Sequence, residues 1–571
     1  MDKAKISDLS SQERKSITAW CMYDWANSGF ATSGLAAFFP IYFVVLFKDA
    51  MGESASFLGM TFTGSSTWSI GLAASTVIVA ISSPILGVIA DRVPIKKTLL
   101  WIYTIAGSIF AVIAFFSAYT SQPWAWLMGC FILGNIGFAG GLVFYNSFLP
   151  HIASRDLLDS VSSRGFATGY IGGGLLLLIH VVFVVLFSNT EHTDLIVRSS
   201  IASTGLWWFG WSLWTLLVLK EPRLITTKGI KFSNAPSIAL KELTRTFKDI
   251  TRFKVLLIYL VAYLLFNDGI QTVTGIATAF ATDTLRIDQT FIILSLLIIQ
   301  FVAAIAAMIF SYLAKLITTK RALYVSLIGW VVIVIFGVAI IPLEPTGLSD
   351  YEYNLSYSDR SGNYVISSIP ELSDSKSDQL WEEDLANKSL NNMEPQGTIS
   401  VNEAGSLLNV VATSENSAYG IIIIGGPMEG STKLGKSHPS KLNDGPVDWW
   451  PELVRKTIWK PLGFTAEYQW ILLGISVGLV MGGSQALSRS LFAQMTPETR
   501  SGEFFSFFGF MSRASTVFGP MMYVVATSLF DTRIAVTSIV IIILSGTIIL
   551  NWVDVKSGIQ VADEEDRKLS N

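Results

Sequence analysis

Long apolar stretches recur along the whole chain and constrain its fold more than any other feature. Roughly 20 apolar residues cross the hydrocarbon core of a bilayer as an α-helix, and the chain carries about twelve such stretches. Charged residues make up only 15% of its 571 residues, well below a usual soluble domain. The stretches lie near residues 18–47, 67–90, 98–119, 123–147, 165–187, 200–219, 255–282, 291–314, 321–341, 467–488, 504–528 and 532–553. The sequence therefore predicts an all-α polytopic membrane protein with twelve transmembrane helices, the first of which is not a cleaved signal peptide.

Lys and Arg are concentrated in alternate loops between these stretches. They gather before the first stretch, after the second, in the basic stretch 220–254, after the eighth and in the tail at 554–571. Because short cytoplasmic loops retain Lys and Arg, we expect both termini to face the cytoplasm. Cys21 and Cys130 both lie in apolar stretches, so no disulfide is expected.

The longest polar segment, residues 342–465, separates the ninth stretch from the tenth. The alternation places it outside the cytoplasm, and its length of roughly 120 residues fits either a small folded insert or a disordered one. Residues 405–413 and 419–426 have the composition of short β-strands. Residues 447–459 space Trp450, Leu453, Val454 and Ile458 for one face of a helix lying in the membrane interface. We therefore expect an insert of mixed or partly disordered structure.

The order of the stretches divides the chain into two parallel halves. Six stretches occupy residues 1–219, and six more occupy 255–341 and 466–553, with 220–254 as the linker. After the second stretch comes Gly87-Val-Ile-Ala-Asp91-Arg92-Val-Pro-Ile-Lys96-Lys97. Layout and motif together resemble the major facilitator superfamily, whose fold we therefore expect. In such a motif Gly permits close helix approach and Asp can accept bonds at a helix N-terminus, although an ordinary basic turn is the alternative reading.

Two carboxylates lie inside apolar stretches, where an ionisable side chain is rarely tolerated without a partner or a wet cavity. Asp24 is flanked by Tyr23 and Asn27, and Asp268 by Asn267 and Gln271. We expect a solute or ion pathway lined from both halves. The deeper Asp268 is the first candidate for proton exchange and Asp24 the second. The alternatives are that Asp24 snorkels or pairs with a loop cation, and that Asp268 joins helices by hydrogen bonds.

Several short motifs sharpen the resemblance to one group of transporters. They are Tyr23-Asp-Trp-Ala-Asn-Ser28, Phe39-Pro-Ile-Tyr-Phe43, Tyr145-Asn-Ser-Phe-Leu-Pro150, Ser163-Arg-Gly-Phe-Ala-Thr-Gly-Tyr170, Asn267-Asp-Gly269, Gln485-Ala-Leu-Ser-Arg-Ser490 and Glu503-Phe-Phe505. Over nearly all of the membrane part the chain resembles the bacterial relatives of the autophagy-related vacuolar amino-acid effluxers. The resemblance implies small-solute transport, an amino acid or small peptide as solute, and a bacterial inner membrane. It adds Tyr145, Asn146 and Gln485 to the expected pathway.

Charged residues at the cytoplasmic ends of the helices form a second candidate site. We expect a gate made by Gly87, Asp91, Arg92, Arg164, Arg489 and Glu503. The resemblance to the major facilitator superfamily implies that closure at this end brings Asp91 against the first turn of the eleventh stretch, whose free amides a carboxylate can satisfy. Glu503 would repel Asp91 unless it pairs with Arg92, Arg489 or Arg513. Arg164 and Arg489 are either mobile gate charges or static interfacial anchors.

No motif for catalysis or nucleotide binding occurs in the sequence. It has no phosphate-binding loop, no nucleophile with a base partner and no metal-ligand spacing. We therefore expect neither an enzyme nor a cofactor, and transport driven by an H⁺ or Na⁺ gradient or by facilitated diffusion. The expected partners are membrane lipid and a small solute, without nucleic acid, and the protein is expected to be a monomer. The alternative is a transporter-derived receptor or scaffold that acts through its insert.

Overall fold

The structure is a computed structural model in which helices dominate. It describes residues 6–52, 55–57, 60–187, 190–222, 253–281, 285, 287, 289–340, 352–370, 372, 376–391, 393–436, 438, 447–516, 518–529 and 532–570. Ten helices within these residues are long and apolar enough to cross a membrane. Most of the predicted linker, 220–254, lies outside the described residues.

The first group of elements spans residues 11–218. It consists of α1 (Ser11–Gly29), a π-helical stretch (Phe30–Phe38), α2 (Phe39–Met51), the strands β1 (Ala55–Phe57) and β2 (Met60–Phe62), α3 (Gly64–Arg92), α4 (Lys96–Ile113), α5 (Pro123–Ser147), α6 (Leu149–Ile152), α7 (Leu158–Leu186) and α8 (Thr193–Val218). Ser10 and Glu13 begin α1 with a reciprocal capping box. Glycines bring α4 and α5 together, since a Cβ on Gly137 would lie 2.5 Å from the Cα of Gly107. The Gly-rich run of α5 is thus a packing surface.

The second group begins with three helices and resumes after the insert. The three are α9 (Lys254–Ala279), α10 (Gln289–Ile317) and α11 (Thr319–Val338). Ala339, which directly follows α11, packs against Val454 and Trp459 at the far end of the insert. The insert therefore leaves and re-enters the helical bundle at the same end.

The described part of the insert folds as a small α/β unit. Its elements are β3 (Glu352–Ser358), β4 (Asn363–Ser368), α12 (Lys376–Ala386), β5 (Thr398–Ile399), α13 (Val401–Thr413), β6 (Gly420–Ile424) and β7 (Lys433–Leu434). The strand order is β5-β4-β3-β6-β7, with β3 and β6 parallel and in register from Glu352 opposite Gly420 to Ser356 opposite Ile424. A buried core that includes Leu355, Trp381 and Ile421 holds sheet and helices together.

Of the local predictions for the insert, the strand at 419–426 and a helix within 447–459 are confirmed, the strand at 405–413 is wrong, and the position of 447–459 in the membrane interface stays a prediction. The predicted strand at 419–426 is β6. A helix, α14 (Trp449–Val454), begins the predicted interfacial segment and continues through a π-helical stretch to Trp459 and the short α15 (Lys460–Leu462). Residues 405–413 form part of α13 rather than a strand. Their apolar residues recur at helical spacing, so that Leu407, Val410 and Val411 share one buried face.

The remaining helices complete the second group. They are α16 (Ala466–Met495), α17 (Ser501–Ala514), α18 (Phe518–Leu529), α19 (Thr532–Leu550) and α20 (Val555–Ser570). The predicted count of twelve spanning helices is not confirmed. The helix α8 has the length to span but is less apolar than the ten. The eleventh stretch is divided into α17, which ends after the polar Arg513, and α18.

Each group packs mainly within itself, and a few helices join the two. In the first group α1 contacts α7 and α8, and α4 contacts α5 and α8; in the second α10 and α11 contact α16, and α9 contacts α19. Between the groups α7 packs against α10 and α16, while α3 and α5 pack against α17. These inter-group helices position the site.

The first and last described segments lie at one end of the bundle. Ser7 lies beside Arg164 and Lys315 in one small cavity, and Asp563 of α20 pairs with Arg155 just before α7. We call this the basic end. The opposite end, from which the insert extends, is the insert end.

Candidate functional site

A cavity of about 530 Å³ lies between the two groups of helices. Its walls come from α1, the π-helical stretch, α5 and α7 on one side and from α9, α10, α16 and α17 on the other. It extends from Asp24 and Arg489 toward the insert end, as far as Ala37 and Leu296. Its volume falls within the usual range for small-molecule sites.

A buried ion pair joins the two groups at the floor of this cavity. Arg489 of α16 donates from both Nη1 and Nη2 to Oδ2 of Asp24 on α1, each at 3.1 Å. Its Nε donates to Oγ of Ser162 at 2.9 Å, its Nη2 to the Ser162 carbonyl at 2.8 Å and its Nη1 to Oδ1 of Asn146 at 3.2 Å. These bonds engage all five N–H donors of the guanidinium.

Aromatic rings enclose the same guanidinium. Its carbon lies 4.1 Å from the ring centre of Phe166, 4.8 Å from Trp20 and 5.7 Å from Tyr145. Attraction to ring faces strengthens when a cation is shielded from water. Tyr23 stacks on Tyr145 at 4.8 Å, and its hydroxyl bonds to Thr104 Oγ1 at 2.9 Å. The two stacked tyrosines therefore pack beside the ion pair, outside the cavity lining.

The structure brings most of the predicted pathway residues to the cavity. Those in its lining are Asp24, Asn27, Asn146, Asn267, Gln271 and Gln485. Gln485 accepts a hydrogen bond from the Tyr170 hydroxyl at 2.7 Å, which orients its amide. Tyr23, Tyr145 and Asp268 are buried outside the lining.

Asp268 lies at a different place from the one expected. Its Oδ2 accepts a 2.6 Å hydrogen bond from the backbone N–H of Gly519, in the first turn of α18. The neighbouring Asn267 donates to Ser515, just after α17. Free amides and partial positive charge at a helix start attract a carboxylate. Asp24, ranked second from sequence, is therefore the carboxylate that lines the cavity, and the coupling role of Asp268 stays a prediction.

At the basic end, the predicted contact between Asp91 and the eleventh stretch is present. Oδ1 accepts from the N–H of Gly502 at 2.9 Å, and Oδ2 accepts from that of Glu503 at 2.7 Å. Both amides belong to the first turn of α17, which the carboxylate caps across the inter-group boundary. Gly87 permits this approach, because a Cβ there would lie 2.4 Å from the Gly502 carbonyl oxygen.

Glu503 has a partner that was not among those expected. It pairs with Arg500, three residues earlier, at 2.8 Å. The i, i+3 spacing at the start of α17 places these two side chains on one face. Arg500 also contacts Glu565 of α20 at 3.3 Å.

The two other predicted gate arginines differ in position from Arg489. Arg92 is the last residue of α3, and the exposed Arg164 lines the small cavity beside Lys315. Arg489 is instead buried in the ion pair at the cavity floor.

Sequence reasoning missed a polar network beside Asp91. Lys96 Nζ lies 2.8 Å from Asp91 Oδ1, 2.7 Å from Ser501 Oγ and 3.0 Å from His151 Nε2. His151 Nδ1 lies 2.9 Å from Oε1 of Glu498, and this hydrogen bond holds the pKa of the Glu498 carboxyl below its usual value. The one sequence signal was the basic pair of the Gly87 motif. The network joins both groups at the basic end.

Comparisons with known proteins show which family the chain resembles. Residues 12–352 and 453–563 match the sequence profile of a family described as "Vacuole effluxer Atg22 like". A Bacillus subtilis (strain 168) protein described as "Uncharacterized MFS-type transporter YxiO" is 29% identical over 334 residues, covering 57% of this chain and 73% of that protein. Autophagy-related protein 22-2 of Penicillium rubens is 30% identical over 149 residues, about a quarter of either chain (24% of each).

The fold also resembles a solved transporter structure. The MFS (major facilitator superfamily) proton:xylose symporter XylE, bound to 6-bromo-6-deoxy-D-glucose, aligns over 95% of both chains with a TM-score of 0.55 and 11% identity. At this identity the likeness concerns the fold alone.

Proposed function

The chain belongs to the vacuole effluxer Atg22-like family, and from this premise we propose that it is a secondary transporter that moves a small polar solute across a membrane by alternating access. Amino acids and small peptides are the first solutes to test. We place it in a bacterial inner membrane as a monomer, with the basic end cytoplasmic, since Lys and Arg concentrate there.

The observation that carries this proposal is the Asp24–Arg489 pair. The two residues come from different helix groups and meet at the floor of a cavity that is closed on one side. For the basic end to open, α1 and α7 must separate from α16, which breaks the bonds from Arg489 to Asp24 and Ser162. Opening the transport path and breaking the ion pair are therefore one event.

Protonation of Asp24 offers a coupling mechanism. Separating a buried ion pair leaves an uncompensated charge, which costs about 3–5 kcal/mol when one partner is removed. A proton on Asp24 removes one of the two charges and lowers that cost. We therefore propose H⁺ as the coupling ion, with Asp24 as its binding group.

Uptake into proteoliposomes tests this proposal. Purified wild-type protein is screened with radiolabelled amino acids and small peptides, with and without an imposed pH gradient. We expect at least one solute to accumulate only when the gradient is present. Asp24→Asn, which keeps the shape but cannot gain or lose charge, should abolish accumulation while solute exchange remains.

The matched control is Asp359→Asn, since Asp359 is an exposed carboxylate in the insert. It should accumulate solute like the wild type. If folded wild-type protein moved no solute of the panel, the transport proposal would fail. Equal accumulation by Asp24→Asn and wild type would refute the coupling role alone.

A further inference from the structure

A second arginine lines the transport cavity without an acidic partner. Arg513, in the last turn of α17, borders both the main cavity and a cleft of about 100 Å³ beside it. Within the described ranges the structure gives its guanidinium no carboxylate at ion-pair distance and no hydrogen-bond acceptor. The helix end stabilises a cation here through its partial negative charge, but it leaves the N–H donors of the side chain available.

The contrast with Arg489 identifies the group that is free to bind a solute. Arg489 has all five donors engaged by Asp24, Ser162 and Asn146. Arg513 has no hydrogen-bond acceptor or carboxylate for its five donors among the described residues, and it borders both cavities. The charged side chains of the lining are one carboxylate and two guanidinium groups. Since Asp24 and Arg489 neutralise each other, the cavity keeps one net positive charge.

Amide groups in the same lining add further donors. Asn146 accepts from Arg489 through Oδ1, which directs its NH₂ group elsewhere, and Asn146 borders the same two cavities as Arg513. Asn27 is 4% exposed, and its Nδ2 has no hydrogen-bond partner among the described residues. An excess of donors over acceptors favours a ligand that brings acceptor oxygens.

We propose that Arg513, assisted by the Asn146 amide, is the anion-binding subsite of the transport cavity, so that the transported solute carries a carboxylate or phosphate group. A planar guanidinium binds either group through two parallel hydrogen bonds. The rings of Phe138, Phe266 and Phe508 in the same walls contact the apolar part of the solute. This assignment rests on the proposed transport function and names the chemistry of its solute.

Binding of matched anionic and neutral probes to the purified full-length protein tests the assignment without requiring transport. The carboxylate pair is N-acetyl-leucine and its amide, and the phosphate pair is glycerol 3-phosphate and glycerol. Isothermal titration calorimetry gives the affinity of each probe. We expect the wild type to bind the anion of at least one pair about tenfold or more tighter than its neutral partner, as a charge-assisted bidentate contact implies. The pair that shows this preference distinguishes the two anion classes.

Three variants locate the preference. Arg513→Gln should abolish this anion preference, and Arg513→Lys, which keeps the charge but loses the planar fork, should reduce it. Arg360→Gln removes an exposed arginine of the insert and should leave it unchanged. Should the Gln variant fail to fold, the Lys variant carries the test.

Two results would overturn the assignment: a wild type that prefers neither anion, or folded Gln and Lys variants that keep the full preference. Transport assays then separate this inference from the premise. If the wild type transports a solute and Arg513→Gln keeps the anion preference, the transport proposal stands and the subsite assignment fails. If Arg513→Gln loses the anion preference and the wild type transports nothing, the subsite assignment stands and the transport proposal fails.

Discussion

Removing the Asp91 carboxylate should open the basic end of the bundle. In the closed structure Asp91 accepts hydrogen bonds from the amides of Gly502 and Glu503 across the boundary between the helix groups. Asp91→Ala leaves both amides buried without an acceptor whenever the basic end is closed. When it is open, water satisfies them. The substitution therefore destabilises the closed state selectively.

The size of the effect follows from which contacts are broken on opening. Lys96 and Asp91 belong to the same group, so their ion pair persists in both states and contributes little to the difference. The two inter-group bonds are charge-assisted, each worth about 1.5–3 kcal/mol, and are not fully additive. A loss of about 2–4 kcal/mol changes the ratio of closed to open states roughly 30- to 1000-fold. A protein that is closed about 99% of the time would then be closed roughly 10–80% of the time.

Spin-label distances measure this shift directly. Thr98 of α4 and Arg321 of α11 are exposed positions near the basic end, one in each group, and nitroxides at these sites report the separation by double electron–electron resonance. We expect a second, longer distance in Asp91→Ala. Asp359→Ala, which removes an exposed carboxylate of the insert, should keep the wild-type distribution. An unchanged distribution in Asp91→Ala would refute the role of this contact in closure.

Three further predictions concern other parts of the chain. Asp268→Ala should lower the free energy of unfolding by about 1–2 kcal/mol because α18 loses its cap. Asp268→Asn keeps an acceptor oxygen and should lose less stability. Thermal denaturation compares the two variants, and equal losses would contradict the capping role. Burial raises the pKa of Glu352 to about 7, so the folded insert retains a proton that the unfolded chain releases. Stability should thus fall as pH rises from about 4.5 to 7. Melting curves of Glu352→Gln should lose this pH dependence. If the variant kept it, the burial of Glu352 would not be its cause. Replacing residues 349–444 by a Gly/Ser linker, which spares α14, should leave proteoliposome uptake largely intact, whereas a folded but inactive deletion would favour the receptor alternative.

The sequence was most informative where one local signal determines a contact. The Gly87 motif combines a small residue with a carboxylate at the end of one helix, and a helix start in the other half offers free amides to it. The resemblance to the major facilitator superfamily then predicts the pair, and the structure contains it. The strand at Gly420–Ile424 follows similarly from a run of β-branched residues.

The misses share one physical cause. Helical spacing gives the face on which a residue lies but not how that face is rotated toward helices of the other half. Asp268 therefore looked like a cavity residue, although its face meets the start of α18. The sequence leaves Arg489 equally compatible with an anchor and a gate, because it does not show that Asp24 lies opposite. It suggests Arg513 only as a partner for Glu503, because nothing in it indicates that this side chain reaches the cavity.

The most direct test of alternating access is the reactivity of one cavity position from each side of the membrane. Ser28 lies one helical turn from Asp24 and lines the cavity. The two native cysteines, Cys21 and Cys130, are buried and free, and replacing both by Ala gives a background for Ser28→Cys. In vesicles of each orientation, a membrane-impermeant thiol reagent should modify this cysteine from both faces, and Asp91→Ala should speed the reaction from the basic face. Modification from the insert face alone, in wild-type and Asp91→Ala backgrounds alike, would contradict alternating access through this cavity.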